Sequence, residues 1–290
     1  MQQIAVPIFF FADGWLIARR HPAGIAAAGP YLRNSARRLL VPWVIFSLLY
    51  LAIRLAGERA GVLGGAPVMP RGLTDLPRAL WHGAAAGQLY FLPALLLVRA
   101  IGVVLRRAIA GRPAAAWALS LALFVLWRGL LERFLSGPEI GVEPLLAAAT
   151  GLCFAALGWA VALGGSRAML IVAAAMALGG AASHSIDARV AMACWQVLYL
   201  LVLWHLVTRL PPAGAPAAAG AWLGRHTMEI YLLHAPIAMK LISDLLLRLA
   251  VPAGLALLLA VAAAIATALI TAMALRRLGL AWTWGEARRA

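Results

Sequence analysis

The chain has 290 residues, of which 64% are hydrophobic and 12% charged, with a mean hydropathy of +0.91. Soluble domains carry about 25% charged residues, so a soluble globular fold is excluded and the solvent for this chain is a lipid bilayer. A formal net charge of +15 would suggest nucleic acid in a soluble protein, but here the arginines cluster between apolar runs, where they report topology and no nucleic-acid partner is expected.

A run of about 18 or more apolar residues is long enough to cross a hydrocarbon layer of about 30 Å as a helix. The first predicted span, 4–18, contains Pro7, Asp13 and Gly14 and leads into a basic loop holding Arg19, Arg20, Arg33, Arg37 and Arg38. Asp13 and that loop are wrong for a removable signal peptide. Further spans are predicted at 39–56, 88–105, 114–131, 144–163, 168–183, 188–207, 222–242 and 253–275. Aromatics at their ends, including Trp43, Trp127 and Trp222, fit an interfacial belt. Pro211–Gly220 reads as a flexible linker, and the longest piece outside the membrane is about 57–87. The expected fold is therefore all-α, a polytopic integral-membrane helical bundle of about nine transmembrane helices forming a single domain over 1–290.

The connecting segments sort by charge. Those around Arg37, Arg107, Arg167, Arg209 and Arg276 share fifteen arginines, whereas the alternate set holds six and takes seven acids, among them Asp75, Glu139, Asp187 and Asp244. The positive-inside bias makes the first set cytoplasmic, with Met1 on the outer face and the C-terminus inside, as in a bacterial inner membrane.

Ionisable groups inside apolar runs are costly and face a cavity or a partner, so Asp13 and Glu229 are candidate functional residues. His226, Glu229 and His234 fall within a sector of about 140° at about 100° per residue of helix, and Tyr231 is near them. The bland alternatives are that Glu229 pairs with Arg225 one turn away and that His226 sits at headgroup level. Arg54, Arg99, Arg128 and Lys240 are expected to snorkel as interfacial anchors, and Gln196 and Tyr199 to pack helices. Guanidinium forks suit phosphate oxygens, so Arg33, Arg37 and Arg38 are candidates for a phosphate-bearing ligand, against the alternative that the basic loop touches lipid headgroups. Cys153 and Cys194 lie far from any metal-ligand spacing, and no metal is expected.

Four blocks carry a resemblance. They are Val6-Pro7-Ile8-Phe9-Phe10-Phe11-Ala12-Asp13-Gly14-Trp15, Arg33-Asn34-Ser35-Ala36-Arg37-Arg38-Leu39-Leu40-Val41-Pro42-Trp43, Gln88-Leu89-Tyr90-Phe91-Leu92-Pro93-Ala94-Leu95, and Leu223-Gly224-Arg225-His226-Thr227-Met228-Glu229-Ile230-Tyr231-Leu232-Leu233-His234. In that order they resemble the motifs of the integral-membrane acyltransferase-3 family over nearly the whole chain. Asp13 stands where that family usually has serine, and Ser35 takes the first arginine position of its Arg-x-x-Arg motif, with Arg38 in the second.

The resemblance implies an O-acyltransferase. It would move an acyl group, most often acetyl, from cytoplasmic acyl-coenzyme A as co-substrate to a hydroxyl of a glycan or lipid-linked acceptor. His234 would be the catalytic side chain and Arg33, Arg37 and Arg38 the donor site. The resembled family generally has ten helices and carries a proposed histidine base on the first, which has no counterpart here. The chain is thus expected to be truncated at its start relative to the family and to have little activity as given. A transporter or flippase, with Asp13, Glu229 and His234 as a proton or substrate path, and a non-catalytic membrane scaffold are the rival readings.

Overall fold

A computed structural model describes residues 2–21, 27–60, 73–81, 86–109, 111–131, 143–184, 187–211, 213–233 and 251–280, with 242, 245–246, 248–249 and 283 besides. Its helices are α1 (Gln2–Arg20), α2 (Ala28–Arg59), α3 (Leu76–Trp81), α4 (Phe91–Ile109), α5 (Pro113–Phe124), α6 (Glu143–Ser183), α7 (Ala188–Arg209), α8 (Ala215–Arg225), α9 (Thr227–Leu233) and α10 (Ala253–Arg277). Short 3-10 turns lie at Leu73–Asp75 and Gly87–Tyr90, and α5 runs on into a π-helical stretch, Val125–Leu131. The described residues contain no strand, so the fold is all-α.

Five stretches are long and apolar enough to cross a membrane among the described residues: Ala28–Arg59, Gln88–Ile109, Pro144–Gly164, Ala188–Arg209 and Gly254–Arg277. Pro113–Trp127 and Ala168–Ser183 are shorter apolar helices. The chain is an integral-membrane helical protein. The predicted span 4–18 is helical within α1, and part of 222–242 lies outside the described residues.

Four local expectations change. The loop expected around Arg167 is helix, because α6 runs unbroken from Glu143 to Ser183. Gly164, Gly165 and Ser166 lower helix propensity by at most about 1 kcal/mol each, which packing offsets. Arg33, Arg37 and Arg38 stand on α2 and not on a loop, since the helix starts at Ala28, with Pro30 in the first turn where its missing N–H costs nothing. The linker 211–220 becomes helical at Ala215, behind Gly214 at φ 102°. The helix expected over 222–242 breaks at His226, where α8 ends and α9 begins.

The chain divides into two compact units, one of 1–36 with 90–210 and one of 37–89 with 211–290. The core of the first is the crossing of α1 and α6, made possible by small residues. A Cβ on Gly14 would sit 2.2 Å from the Ala155 carbonyl oxygen, and one on Gly158 would sit 2.3 Å from that of Phe11. These backbones therefore touch, as in small-residue crossings of membrane helices, where close approach supplies the dispersion that a hydrophobic driving force cannot. Phe10 and Phe11 are buried beside the crossing, with Phe10 against Phe91 at a ring separation of 4.9 Å and Phe11 edge-on to Trp204 at 5.3 Å. Trp127, expected in the interfacial belt, is instead buried and donates from Nε1 to Thr150 Oγ1 at 2.8 Å. In the second unit α9 packs on α10, and Phe46, Tyr50 and Leu232 are buried.

Candidate functional site

Among the described residues, each unit holds one ion pair between an acid in an apolar helix and an arginine distant in sequence. In the first unit the Asp13 carboxylate of α1 accepts from Arg99 of α4 through both oxygens, from Nη2 at 2.5 Å and from Nε at 3.2 Å. This is the bidentate fork that guanidinium geometry favours. The side chains are 14% and 21% exposed. Arg99 Nη1 also lies 3.4 Å from the Ser35 hydroxyl, which is buried on α2. A recess of about 10 Å³ adjoins the pair, lined by Asp13, Arg99, Gly14, Gly102 and Trp159. Gly102 packs closely there, since a Cβ would stand 3.1 Å from the Trp159 ring. Arg99 was expected to snorkel to an interface. The structure turns it inward instead, because Asp13 offers a buried counter-charge that water would otherwise have to supply.

The end of α1 is held by neighbouring side chains. Arg106 is fully buried and donates to the His21 carbonyl, His21 faces the Tyr31 ring edge-on at 6.3 Å, and Arg19 lies 5.5 Å over the Trp15 ring. Arg106 thus ties α4 to the end of α1. Arg33 is exposed.

In the second unit Glu229, 2% exposed, accepts from Arg276 of α10. The expected partner, Arg225, is displaced because the helix breaks at His226 and removes the one-turn spacing that would have paired them. Tyr231 is half-buried and its hydroxyl donates to the Gln88 carbonyl. Tyr50 of α2 donates to the Leu232 carbonyl at 2.5 Å. His226 caps α8, with Nδ1 2.9 Å from the Trp222 carbonyl oxygen and its ring 4.7 Å from that of Trp222. Arg37 and Arg38 are exposed on α2. His234, Lys240 and the side chains of Arg128 and Arg167 lie outside the described residues.

Residues far apart in sequence but drawn from the recurring blocks therefore meet. Phe9 and Phe10 touch Phe91, Asp13 is joined to Arg99 and through it to Ser35, and in the other unit Tyr231 reaches Gln88. Arg99 was the partner that the sequence reading missed. Its signal was a lone arginine ten residues into an apolar span, opposite an equally isolated aspartate. Among the described residues no group of His, Cys, Asp or Glu is placed to hold a metal.

A polytopic helical membrane protein with buried acid–arginine pairs tied into its apolar core is the class that these features define. Residues 1–277 match the sequence profile of the acyltransferase-3 family, described as an acyltransferase domain. The chain belongs to that family of membrane acyltransferases. No curated protein and no solved structure matches it.

Proposed function

We propose that this protein moves an acyl group, acetyl by preference, from cytoplasmic acyl-coenzyme A to a hydroxyl of a glycan or lipid-linked acceptor at the inner membrane of a bacterium. The family match over residues 1–277 carries the reading. The acceptor oxygen attacks the thioester carbonyl carbon, the C–S bond breaks, and the hydroxyl proton ends on the departing thiol. That step needs a base and a donor for the developing oxyanion, roles we assign to His234 and to guanidinium groups.

The exposure of Arg37 and Arg38 supports a donor site that takes coenzyme A phosphates from solution, on a segment that the arginine bias makes cytoplasmic. Titration calorimetry of the detergent-solubilised chain with acetyl-coenzyme A tests this. Arg37→Ala and Arg38→Ala should each weaken binding by about 1.5–3 kcal/mol, the scale of a charge-assisted hydrogen bond, and Arg288→Ala should leave it unchanged. Equal losses from all three would mean diffuse electrostatics and no donor site.

A further inference from the structure

Outside the site just described, the first unit carries a groove of about 480 Å³ between α5, α6 and α7. Leu121, Phe124, Leu157, Ile171, Met176 and Val197 line it, and among the described lining residues Ser120 and Cys194 carry a hydroxyl or thiol. Its mouth is open, with Leu121 58% and Ile171 70% exposed. The helices that form it are apolar throughout these stretches, so the mouth faces hydrocarbon and not water. Apolar recesses do not hold water, and an empty one forfeits the dispersion contacts of its lining. The occupant at that depth is an acyl chain.

The same groove has a polar end. Its first residue on α5 is Trp117, and five residues before it, about 7.5 Å along the axis, the exposed Arg112 stands at the start of the helix. No side chain caps this helix, so its first-turn amides and the dipole favour an anion beside the guanidinium. We infer that the groove seats one acyl chain of an anionic phospholipid, with the phosphate at Arg112 and the start of α5. The tail then runs from Trp117 towards Val125.

The test uses the full chain in micelles with phosphatidylglycerol bearing a photoreactive diazirine on one acyl chain, and the phosphatidylcholine analogue in parallel. Labelling should concentrate on peptides carrying Leu121, Ile171 and Val197 and be displaced by unlabelled phosphatidylglycerol. Arg112→Gln should reduce phosphatidylglycerol labelling about tenfold, the factor expected for one charge-assisted contact, and phosphatidylcholine labelling by less, because the choline cation offsets the charge of its phosphate. Ala175→Trp, which fills the groove, should abolish both. Should that variant misfold, displacement on the unmodified chain still decides. Labelling that cannot be displaced, or that is as strong on the exposed Leu255 and Leu258 of α10, would overturn the inference. So would crosslinks joining the groove to a second copy of the chain.

Discussion

The Asp13–Arg99 pair is the most exposed part of this account to experiment. Removing one partner strands the other in an apolar surround, where an isolated Asp or Arg at the centre of a membrane helix costs about 2.5–3.5 kcal/mol on insertion scales. The side chains keep 14% and 21% exposure, so water returns part of that cost, and Asp13→Leu or Arg99→Met should each lose about 2–3 kcal/mol. The double variant leaves no stranded charge. Because an ion pair in low dielectric nearly cancels its own desolvation, it should fall within about 1 kcal/mol of the parent. Unfolding of the purified chain by SDS titration from mild micelles measures all four corners of the cycle. If the single losses simply add in the double variant, the two side chains do not interact and the inward placement of Arg99 is wrong.

Four further outcomes follow from the packing and the topology. Gly158→Val should cost about 3 kcal/mol or more in the same unfolding assay, because its Cβ meets the Phe11 carbonyl oxygen at 2.3 Å and the Trp15 nitrogen at 2.7 Å and backbone cannot yield as a side chain does. Gly220→Ala, with nothing within 4 Å of the new Cβ, should not destabilise. Tyr50→Phe removes a bond to the Leu232 carbonyl and should cost about 0.6–1.7 kcal/mol, the range for interhelical bonds in bilayers, measured by the shift in SDS midpoint. Ala215→Cys, exposed at the start of α8, should resist an impermeant thiol reagent in intact cells and react after lysis, and labelling of intact cells would invert the proposed orientation.

The helical class was legible because hydropathy and the shortage of charge act over whole segments and leave no other solution in lipid. What the sequence blurred was local continuity. Gly164, Gly165 and Ser166 beside Arg167 look like a loop, and Pro211–Gly220 like a linker, because propensity and charge are read residue by residue. Helix persists through the first because packing offsets the low propensity of two glycines and a serine, and it resumes at Ala215 because Ala217, Ala218 and Ala219 are strong helix formers. The Arg99 error has a different origin. Distance to a helix end decides snorkelling only when no counter-charge is nearer, and the position of Asp13 against α4 is set by the Gly14 and Gly158 crossing of α1 on α6, a tertiary fact. Glu229 shows the same limit, since its pairing with Arg225 required an unbroken helix at His226.

These pairings bear on the rival readings. A proton or substrate path needs carboxylates that exchange their proton freely along the transport route. Both oxygens of Asp13 accept from one guanidinium, and Glu229 is buried against Arg276. Their geometry fits holding helices in register, with Asp13 joining α1 to α4 and Glu229 joining α9 to α10. Neither acid is then the group that strips a hydroxyl of its proton, and in the acyl-transfer reading the base has to be sought among histidines. His226 contacts the Trp222 carbonyl through Nδ1 at the end of α8, and His234, to which the base role is assigned above, is the first to test. Under this reasoning Asp13→Asn and Glu229→Gln, which keep shape and hydrogen-bonding capacity, should alter stability more than turnover per folded molecule. His234→Ala should abolish turnover while leaving the SDS midpoint within the range of a surface change, about 0.5 kcal/mol. Loss of turnover in Asp13→Asn at unchanged stability would return that carboxylate to the chemistry and refute its assignment as a strut.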